Sequence, residues 1–169
     1  QEQPLLNHRI RHATRFGAQV LAVNPRQVAF NYPIEQTVVA PSQMVAHLSA
    51  VIVGLVEVGF ALPVAYQSLA LKAPATDASR AMVQALQQAQ GAAHGKAVVL
   101  LGAMAQQHPH YTQLATLAHV LAEQLGAVVG YLPEHANSVG ATLVGVVPYQ
   151  GAFGQTVSPG KSATEALNA

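Results

Sequence analysis

The sequence predicts an α/β fold, a mostly parallel Rossmann-like sheet with helices on both faces. Short apolar runs typical of buried strands alternate with longer segments whose apolar residues recur every three or four positions, as on one face of a helix. Glycines and prolines fall between these segments, where helices begin and end. A strand, helix, strand order with short connections indicates parallel pairing.

The first half of the chain is predicted to contain a helix, two strands and a second helix. Proline suits the first turn of each helix, because its missing N–H would have no partner there. Gly17 is placed to end the first helix, and Asn24 with Pro25 stops the first strand. The predicted elements cover residues 4–15, 18–23, 35–40 and 41–55.

The second half is predicted to repeat this pattern after an irregular stretch at residues 59–76, which divides the chain into two similar halves. Asp77 is expected to cap a helix that ends near Gly91. A helix that begins at Pro109 and ends at Gly126 then connects two buried strands. These strands are predicted at residues 96–101 and 127–131, and a polar turn at residues 137–138 opens a further apolar stretch.

Residues 1–148 are expected to form one α/β domain, as a fragment of a longer chain. Residues 149–169, rich in Gly, Ser, Pro and Ala, are expected to form a flexible tail or linker, because they carry few large apolar side chains. Charged residues make up only 9% of the chain, whereas about 25% is typical of soluble domains. So little charge indicates that other protein covers much of the surface.

Composition excludes several classes of function. The chain has no cysteine, which rules out thiolate catalysis, disulfides and Cys-ligated iron-sulfur clusters within it. A net charge of +1 gives no long-range field for phosphates, and the eight basic residues are read as scattered, so no nucleic-acid partner is expected. The apolar run at residues 44–66 contains Glu57, which would be costly at the centre of a bilayer, so no direct membrane insertion is expected.

Residues 133–141, Pro-Glu-His-Ala-Asn-Ser-Val-Gly-Ala, resemble a segment of the large iron-sulfur subunit of bacterial NADH:quinone oxidoreductase, respiratory complex I. That segment reads Pro-Glu-x-Ala-Asn-Ser-x-Gly-Ala and belongs to a portion related to molybdopterin oxidoreductases. Further short matches follow in the order expected for this family, and the resemblance covers roughly residues 1–148. They lie at residues 2–6, 8–11, 17–20, 24–26, 101–102 and 108–109.

Asn24-Pro25-Arg26 ends the first predicted strand, where doubly wound sheets bind nucleotides. Taken alone, the spacing favours a simple strand terminator. The resemblance adds that molybdopterin oxidoreductases have Asp-Pro-Arg here, in contact with a guanine nucleotide. A later family motif, Arg-Pro-Gly-Thr-Asp, corresponds to residues 39–43 but lacks its Gly and Asp in this chain, so Asn24, Arg26 and Ser42 are predicted to be degenerate remnants of a cofactor site.

The resemblance implies a structural and assembly domain of this large subunit, which supports electron transfer from NADH to quinone without a redox centre of its own. It implies no cofactor in this fragment and iron-sulfur clusters elsewhere in the parent chain. The expected partners are the rest of its own chain and other peripheral-arm subunits. The expected location is peripheral, on the cytoplasmic side of the bacterial inner membrane.

Two alternatives stay open. In the first alternative, the chain is the cofactor-binding part of an active molybdopterin oxidoreductase, similar to a formate dehydrogenase. In the second, it is a nucleotide-binding module. The first requires molybdenum or a guanine dinucleotide in the full-length protein. The second requires that NADH or GTP raise the melting temperature, because a ligand that binds only the folded state stabilises it.

No catalytic residue and no metal ligand is predicted. His8 and His12 have the helical spacing of a metal pair but no third ligand nearby, so surface histidines are expected. His108 and His110 flank a helix start, where a capping or anion-binding role fits better than a metal. Glu57 is expected to be a satisfied structural carboxylate. Asn137 or Ser138 is expected to accept the first free amides of the helix that follows.

Overall fold

The computed structural model describes residues 3–71, 73–92, 97–133, 135, 137–147, 150–161 and 163–168, without the side chains of residues 89–92 and 163. The chain divides into two units, Gln1–Leu132 and Pro133–Ala169. The predicted division at residue 148 rests on the composition of residues 149–169 and on the extent of the family resemblance, and it stays a prediction. Each unit is described by itself.

The first unit contains six helices and four strands among its described residues. A short 3-10 turn, Pro41–Gln43, leads into the second helix. The elements are α1 (Pro4–Thr14), β1 (Leu21–Asn24), β2 (Glu35–Val38), α2 (Met44–Glu57), α3 (Val64–Ala70), α4 (Asp77–Ala92), β3 (Val98–Leu101), α5 (Ala103–Gln106), α6 (Tyr111–Leu125) and β4 (Val128–Tyr131).

The mixed helix and strand composition is that of an α/β protein, but the four described strands form two separate pairs. β1 pairs with β2 in parallel, with Leu21 opposite Glu35. β3 pairs with β4 in parallel, with Val98 opposite Val128. The described strands therefore contain no Rossmann-like sheet, because neither pair extends into the other.

The two pairs are connected differently. α6 lies between β3 and β4 in sequence and packs against both, so the predicted strand, helix, strand unit is confirmed. β1 and β2 are joined by a loop instead of a helix. The Gln36 side chain holds this loop, because its amide nitrogen donates to the Val28 carbonyl at 2.8 Å and its amide oxygen accepts the Val28 N–H at 3.0 Å.

The prediction of an irregular stretch at residues 59–76 was wrong for α3. Pro63 precedes the first turn of this helix, where proline interrupts no helical hydrogen bond. Ala70 is fully buried, and the Ser49 hydroxyl of α2 donates to the Leu69 carbonyl at 3.4 Å. Docking against α2 therefore stabilises a seven-residue helix that has little apolar periodicity of its own.

The core of the first unit lies where α2 packs against α4 and α6. Ile52 and Leu55 of α2 and Leu117 of α6 are completely buried. At Gly54, a side-chain carbon would lie 3.1 Å from Val83 of α4, so glycine allows the two helices to approach closely. The core residues are Val51, Ile52, Leu55, Ala70, Val83, Leu117, Val120, Leu121 and Leu125.

The start of α4 differs from its prediction. Thr76 caps the helix: its hydroxyl accepts the Ser79 N–H at 3.2 Å, and the Ser79 hydroxyl accepts the Thr76 N–H at 2.8 Å. This is a capping box with serine in the place of the usual glutamate. Asp77 lies inside the first turn with an exposed carboxylate, so its predicted role as the cap was wrong. The predicted end of α6 is confirmed, since Gly126 follows it with a left-handed φ of 61°.

The described residues of the second unit form two short helices, α7 (Ser138–Leu143) and α8 (Ala163–Leu167). Between them, isolated bridges join Gln150 to Val147 and to Thr156, around a 3-10 turn at Ala152–Gly154. Phe153 in this turn has a positive φ of 54° and an exposed side chain. The predicted tail thus has local backbone structure.

Thr76→Ala should lower the free energy of unfolding by about 1 kcal/mol, because the variant loses the hydroxyl that accepts the Ser79 amide. Denaturant unfolding followed by circular dichroism measures this loss. Asp77→Ala is the matched control, and we expect it to change stability by less than about 0.5 kcal/mol. A larger loss for Asp77→Ala than for Thr76→Ala would contradict the structural assignment of the cap.

Candidate functional site

The three predicted remnants of a cofactor site lie at one edge of the β1–β2 pair. Asn24 is the last residue of β1, and its carbonyl accepts the Val39 N–H at 2.9 Å. Arg26 follows two residues later and is exposed. Ser42 is exposed in the 3-10 turn after β2. Parallel pairing of β1 with β2 brings the carboxyl ends of both strands to this edge.

Within the described residues, the side chains of Asn24, Arg26 and Ser42 make no hydrogen bond or ion pair with one another. Two shallow concave surfaces occur elsewhere, one in each unit, and neither includes any of the three residues. Ligand sites are usually concave and bury most of their ligand. This edge exposes one guanidinium and one hydroxyl without an enclosing pocket.

Gln106 organises the corresponding edge of the β3–β4 pair. Its amide nitrogen donates to the Leu101 carbonyl at 3.0 Å and to the Leu132 carbonyl at 2.7 Å. These carbonyls lie at the end of β3 and just beyond β4, so one side chain fixes both strand ends. Sequence reasoning missed this residue, because it lies in α5, a four-residue helix with no periodic signal.

His108 connects the two edges within the first unit. Its Nδ1 accepts the His110 N–H at 3.0 Å, and its Nε2 lies 2.8 Å from the Pro41 carbonyl oxygen. An Nδ1 that accepts an N–H carries no proton, so Nε2 carries the hydrogen and donates it to Pro41. The role of His108 at a helix start is therefore structural. It holds the loop before α6 against the turn before α2.

His108→Ala should lower the free energy of unfolding by about 1–2 kcal/mol, because it removes two hydrogen bonds at about 1 kcal/mol each. His108→Asn should recover part of this loss, since an asparagine side chain can still accept the amide two residues later but is too short to reach Pro41. Denaturant unfolding measures both values. An equal loss in His110→Ala, whose side chain makes no hydrogen bond among the described residues, would contradict this assignment.

Two further polar groups lie at the end of β4. The Tyr131 hydroxyl is 2.6 Å from Nε2 of His119 on α6, and both side chains are exposed. The pKa of Tyr111 is raised, first by burial and second by the neighbouring Tyr131. Only the packing of α6 on β4 brings these residues together, and no motif in the sequence marks them.

Glu57 is a structural carboxylate, as predicted, although it is not buried. It ends α2 with a half-exposed side chain, and its Oε2 lies 3.3 Å from Nε of Arg80 on α4. An exposed pair of this kind contributes less than about 1 kcal/mol. It helps to orient the two helices, and nothing in its surroundings points to proton transfer.

The described residues contain no group of three or more His, Cys, Asp or Glu side chains that could hold a metal ion. His8 and His12 are both exposed on α1, in agreement with the prediction of surface histidines. Over the same residues, no helix is long and apolar enough to cross a membrane.

The turn that precedes α7 corrects the predicted cap. Glu134 and Ala136 lie outside the described residues, but Asn137 makes no capping hydrogen bond. The Ser138 hydroxyl instead accepts the His135 N–H at 3.3 Å and donates to the His135 carbonyl at 3.1 Å. Gly140 leaves space that the Asn137 side chain fills.

Ser138→Ala should therefore lower stability by about 0.5–1.5 kcal/mol, because it removes both hydrogen bonds to His135. Asn137→Ala should change it by less than about 0.5 kcal/mol. Amide hydrogen exchange of residues 139–144 measures both effects locally. Faster exchange in Asn137→Ala than in Ser138→Ala would restore Asn137 as the cap.

His47 is the half-buried histidine of α2. Its Nε2 is buried and has no hydrogen-bond partner among the described residues. Burial lowers the pKa of His47, because the positive form loses hydration in the folded protein. The unfolded chain, with an ordinary histidine pKa of about 6.5, therefore takes up this proton first as the pH falls.

Acidification should consequently destabilise the fold through His47. Stability from this residue is complete above about pH 6.5 and decreases as the pH falls from there towards the lowered pKa of the folded state. Unfolding measured over this range should show a shallower acid loss in His47→Leu than in the wild type. His110→Leu, at an exposed position, is the control, and an unchanged acid slope in His47→Leu would contradict the assignment.

No protein-family model, curated protein or solved structure matches this chain. The resemblance carried by the short motifs therefore stays a prediction. In the described part of the first unit, Gln106 contacts the ends of β3 and β4, and His108 contacts the turn that follows β2.

Proposed function

We propose that this chain is a structural and assembly domain of the large iron-sulfur subunit of bacterial NADH:quinone oxidoreductase. In this proposal it supports electron transfer from NADH to quinone and holds no redox centre of its own. The parent chain carries the iron-sulfur clusters elsewhere. The domain lies peripherally, on the cytoplasmic side of the inner membrane. The short motifs spread over roughly residues 1–148 support the family assignment.

The observation that carries the assembly role is the apolar open face of the β3–β4 pair. Val98 and Val128 lie side by side on this face and are 58% and 56% exposed. Leu100 lies on the same face, 40% exposed, and covers Gly130. The alternate residues Val99 and Val129 are half-buried on the face towards α6.

Parallel sheets in α/β proteins are normally covered on both faces, because their strands are apolar on both sides. The open face of β3–β4 fits a domain that is completed by other protein. In the proposal, the rest of the parent chain adds helices to this face and extends the strand pairs into the Rossmann-like sheet. The low content of charged residues supports the same arrangement.

The edge of the β1–β2 pair that holds Asn24, Arg26 and Ser42 fits the interpretation that an ancestral cofactor site has been lost here. Arg26 is exposed to an anion, but neither of the two concave surfaces formed by the described residues includes this edge, and dinucleotide sites are normally enclosed. An active molybdopterin oxidoreductase is the alternative that the experiments below distinguish.

The assembly role predicts that charge on the open face prevents incorporation without unfolding the domain. Val98→Asp and Val128→Asp should each leave the melting temperature of the isolated chain within a few degrees of wild type, because both positions are exposed. In cells that carry these variants in the parent protein, the large iron-sulfur subunit should fail to co-purify with the other subunits. Oxidation of NADH by quinone in isolated membranes should then be lost.

Val64→Asp is the matched control, since Val64 is 80% exposed on α3, away from the sheet. It should assemble normally. Normal assembly of both strand variants would remove the proposal. Molybdenum bound in stoichiometric amount to the purified parent protein, and lost in Arg26→Ala, would favour the alternative.

A further inference from the structure

The positive charge of the chain is concentrated in one stretch. Residues 3–34 contain four arginines and no acidic residue, whereas the rest of the chain has four Lys and Arg residues against seven acidic ones. Three of these arginines lie on or directly after α1. The net charge of the whole chain is small because the acidic residues of the remaining chain offset a strongly basic stretch near the N-terminus. The expectation of no nucleic-acid partner rested on the net charge and on a scattered distribution of the basic residues, and the second premise is corrected by the three arginines on or directly after α1.

These cations lie on the outward side of α1. Leu6, Asn7, Ile10 and Thr14 are half-buried and define the side that faces the protein. The exposed residues follow one another at spacings of three or four, which places them on the opposite side. This basic face consists of His8, Arg9, Arg11, His12, Arg15 and the two apolar residues Leu5 and Phe16.

Local interactions give α1 little stability of its own. Arg11 and Arg15 are like charges four residues apart, a spacing at which repulsion destabilises a helix, and this repulsion opposes the favourable interaction of basic residues with the C-terminal end of the helix dipole. No residue of α1 is fully buried, and its first turn has no acidic residue to interact with the helix dipole. A helix of 11 residues is marginal in water without tertiary packing. A partner with negative charge would relieve this repulsion.

We propose that the basic face of α1 is a docking surface for anionic phospholipid at a membrane–water interface. Arginine guanidinium groups pair with lipid phosphates. Leu5 and Phe16 are each 79% exposed and lie at opposite ends of the same face, and Phe16 also packs on the His12 ring at 4.8 Å. Interfacial helices combine cations with such apolar residues, which enter the boundary between headgroups and acyl chains.

The two apolar side chains favour a lipid surface over a nucleic acid. Both partners offer phosphates, but only a bilayer offers hydrocarbon that would bury a leucine and a phenylalanine at the two ends of one helix. The helix lies on the surface in this arrangement and does not span the bilayer. The inference is independent of the proposed function, since it rests only on the charge and exposure of α1.

Co-sedimentation of the full chain with phosphatidylcholine vesicles, with and without phosphatidylglycerol, tests the proposal. The wild type should bind only the vesicles that contain phosphatidylglycerol, and added salt should weaken the binding. Replacing Arg9, Arg11 and Arg15 together by Gln should lower the partition coefficient on the order of 100-fold, since each cation near an anionic surface contributes several-fold. Replacing Lys72, Lys96 and Lys161 together by Gln changes the net charge equally and should lower it much less.

A second variant distinguishes binding to an anionic lipid surface from binding to other polyanions. Leu5→Ser with Phe16→Ser should reduce vesicle binding at least about tenfold, because it removes the apolar contacts while all three arginines remain. Binding of a single-stranded oligonucleotide, measured in parallel, should be weak. The proposal is overturned by absence of wild-type vesicle binding, by an equal loss in the two triple variants, by unchanged binding of the serine variant, or by oligonucleotide binding tighter than vesicle binding. Circular dichroism and thermal melting confirm that each variant folds.

Discussion

The packing of α2 against α4 and α6 is the interaction on which the first unit depends. Ile52, Leu55 and Leu117 are withdrawn completely from water, and each contributes roughly 1.5–3 kcal/mol of burial free energy. Neither strand pair could supply this stabilisation, since a two-stranded ribbon is marginal in water. The strands therefore owe their stability to the helices. α6 acts most directly, because it packs on the inner face of β3–β4 as well as on α2.

Polar side chains fix the conformation of the loops at the strand ends. Three such side chains are Gln36, Gln106 and His108, which contact backbone groups of a neighbouring segment. The first holds the loop between β1 and β2, and the other two lie in the connection between β3 and α6. Such contacts supply little net free energy, but an unpaired buried backbone group would be costly. Their effect is to give loops at the strand ends one defined conformation.

The surface carries two features of opposite character. One is the apolar open face of β3–β4, and the other is the basic face of α1. A domain that acted alone in water would gain from covering the first and neutralising the second. Both features fit a protein that binds to other surfaces, and neither depends on a reaction catalysed at the strand ends.

The sequence by itself determined the elements with a long or strong local signal. The apolar periodicity of α2 and α6, the strand segments near residues 21, 98 and 128, and the helix end at Gly126 follow from side-chain spacing and backbone preference. It also placed Asn24 at the end of the first strand. Tertiary structure decided the rest. α3 exists because Ala70 docks on α2, Thr76 rather than Asp77 caps α4, and Ser138 rather than Asn137 orders the turn before α7. The separation of the strands into two pairs and the linkage of His108 to Pro41 depend on residues distant in sequence. The intrinsic preference of a residue for helix or strand does not include such distant contacts. Each contact contributes about 1 kcal/mol, which is as large as the free-energy difference between competing local structures.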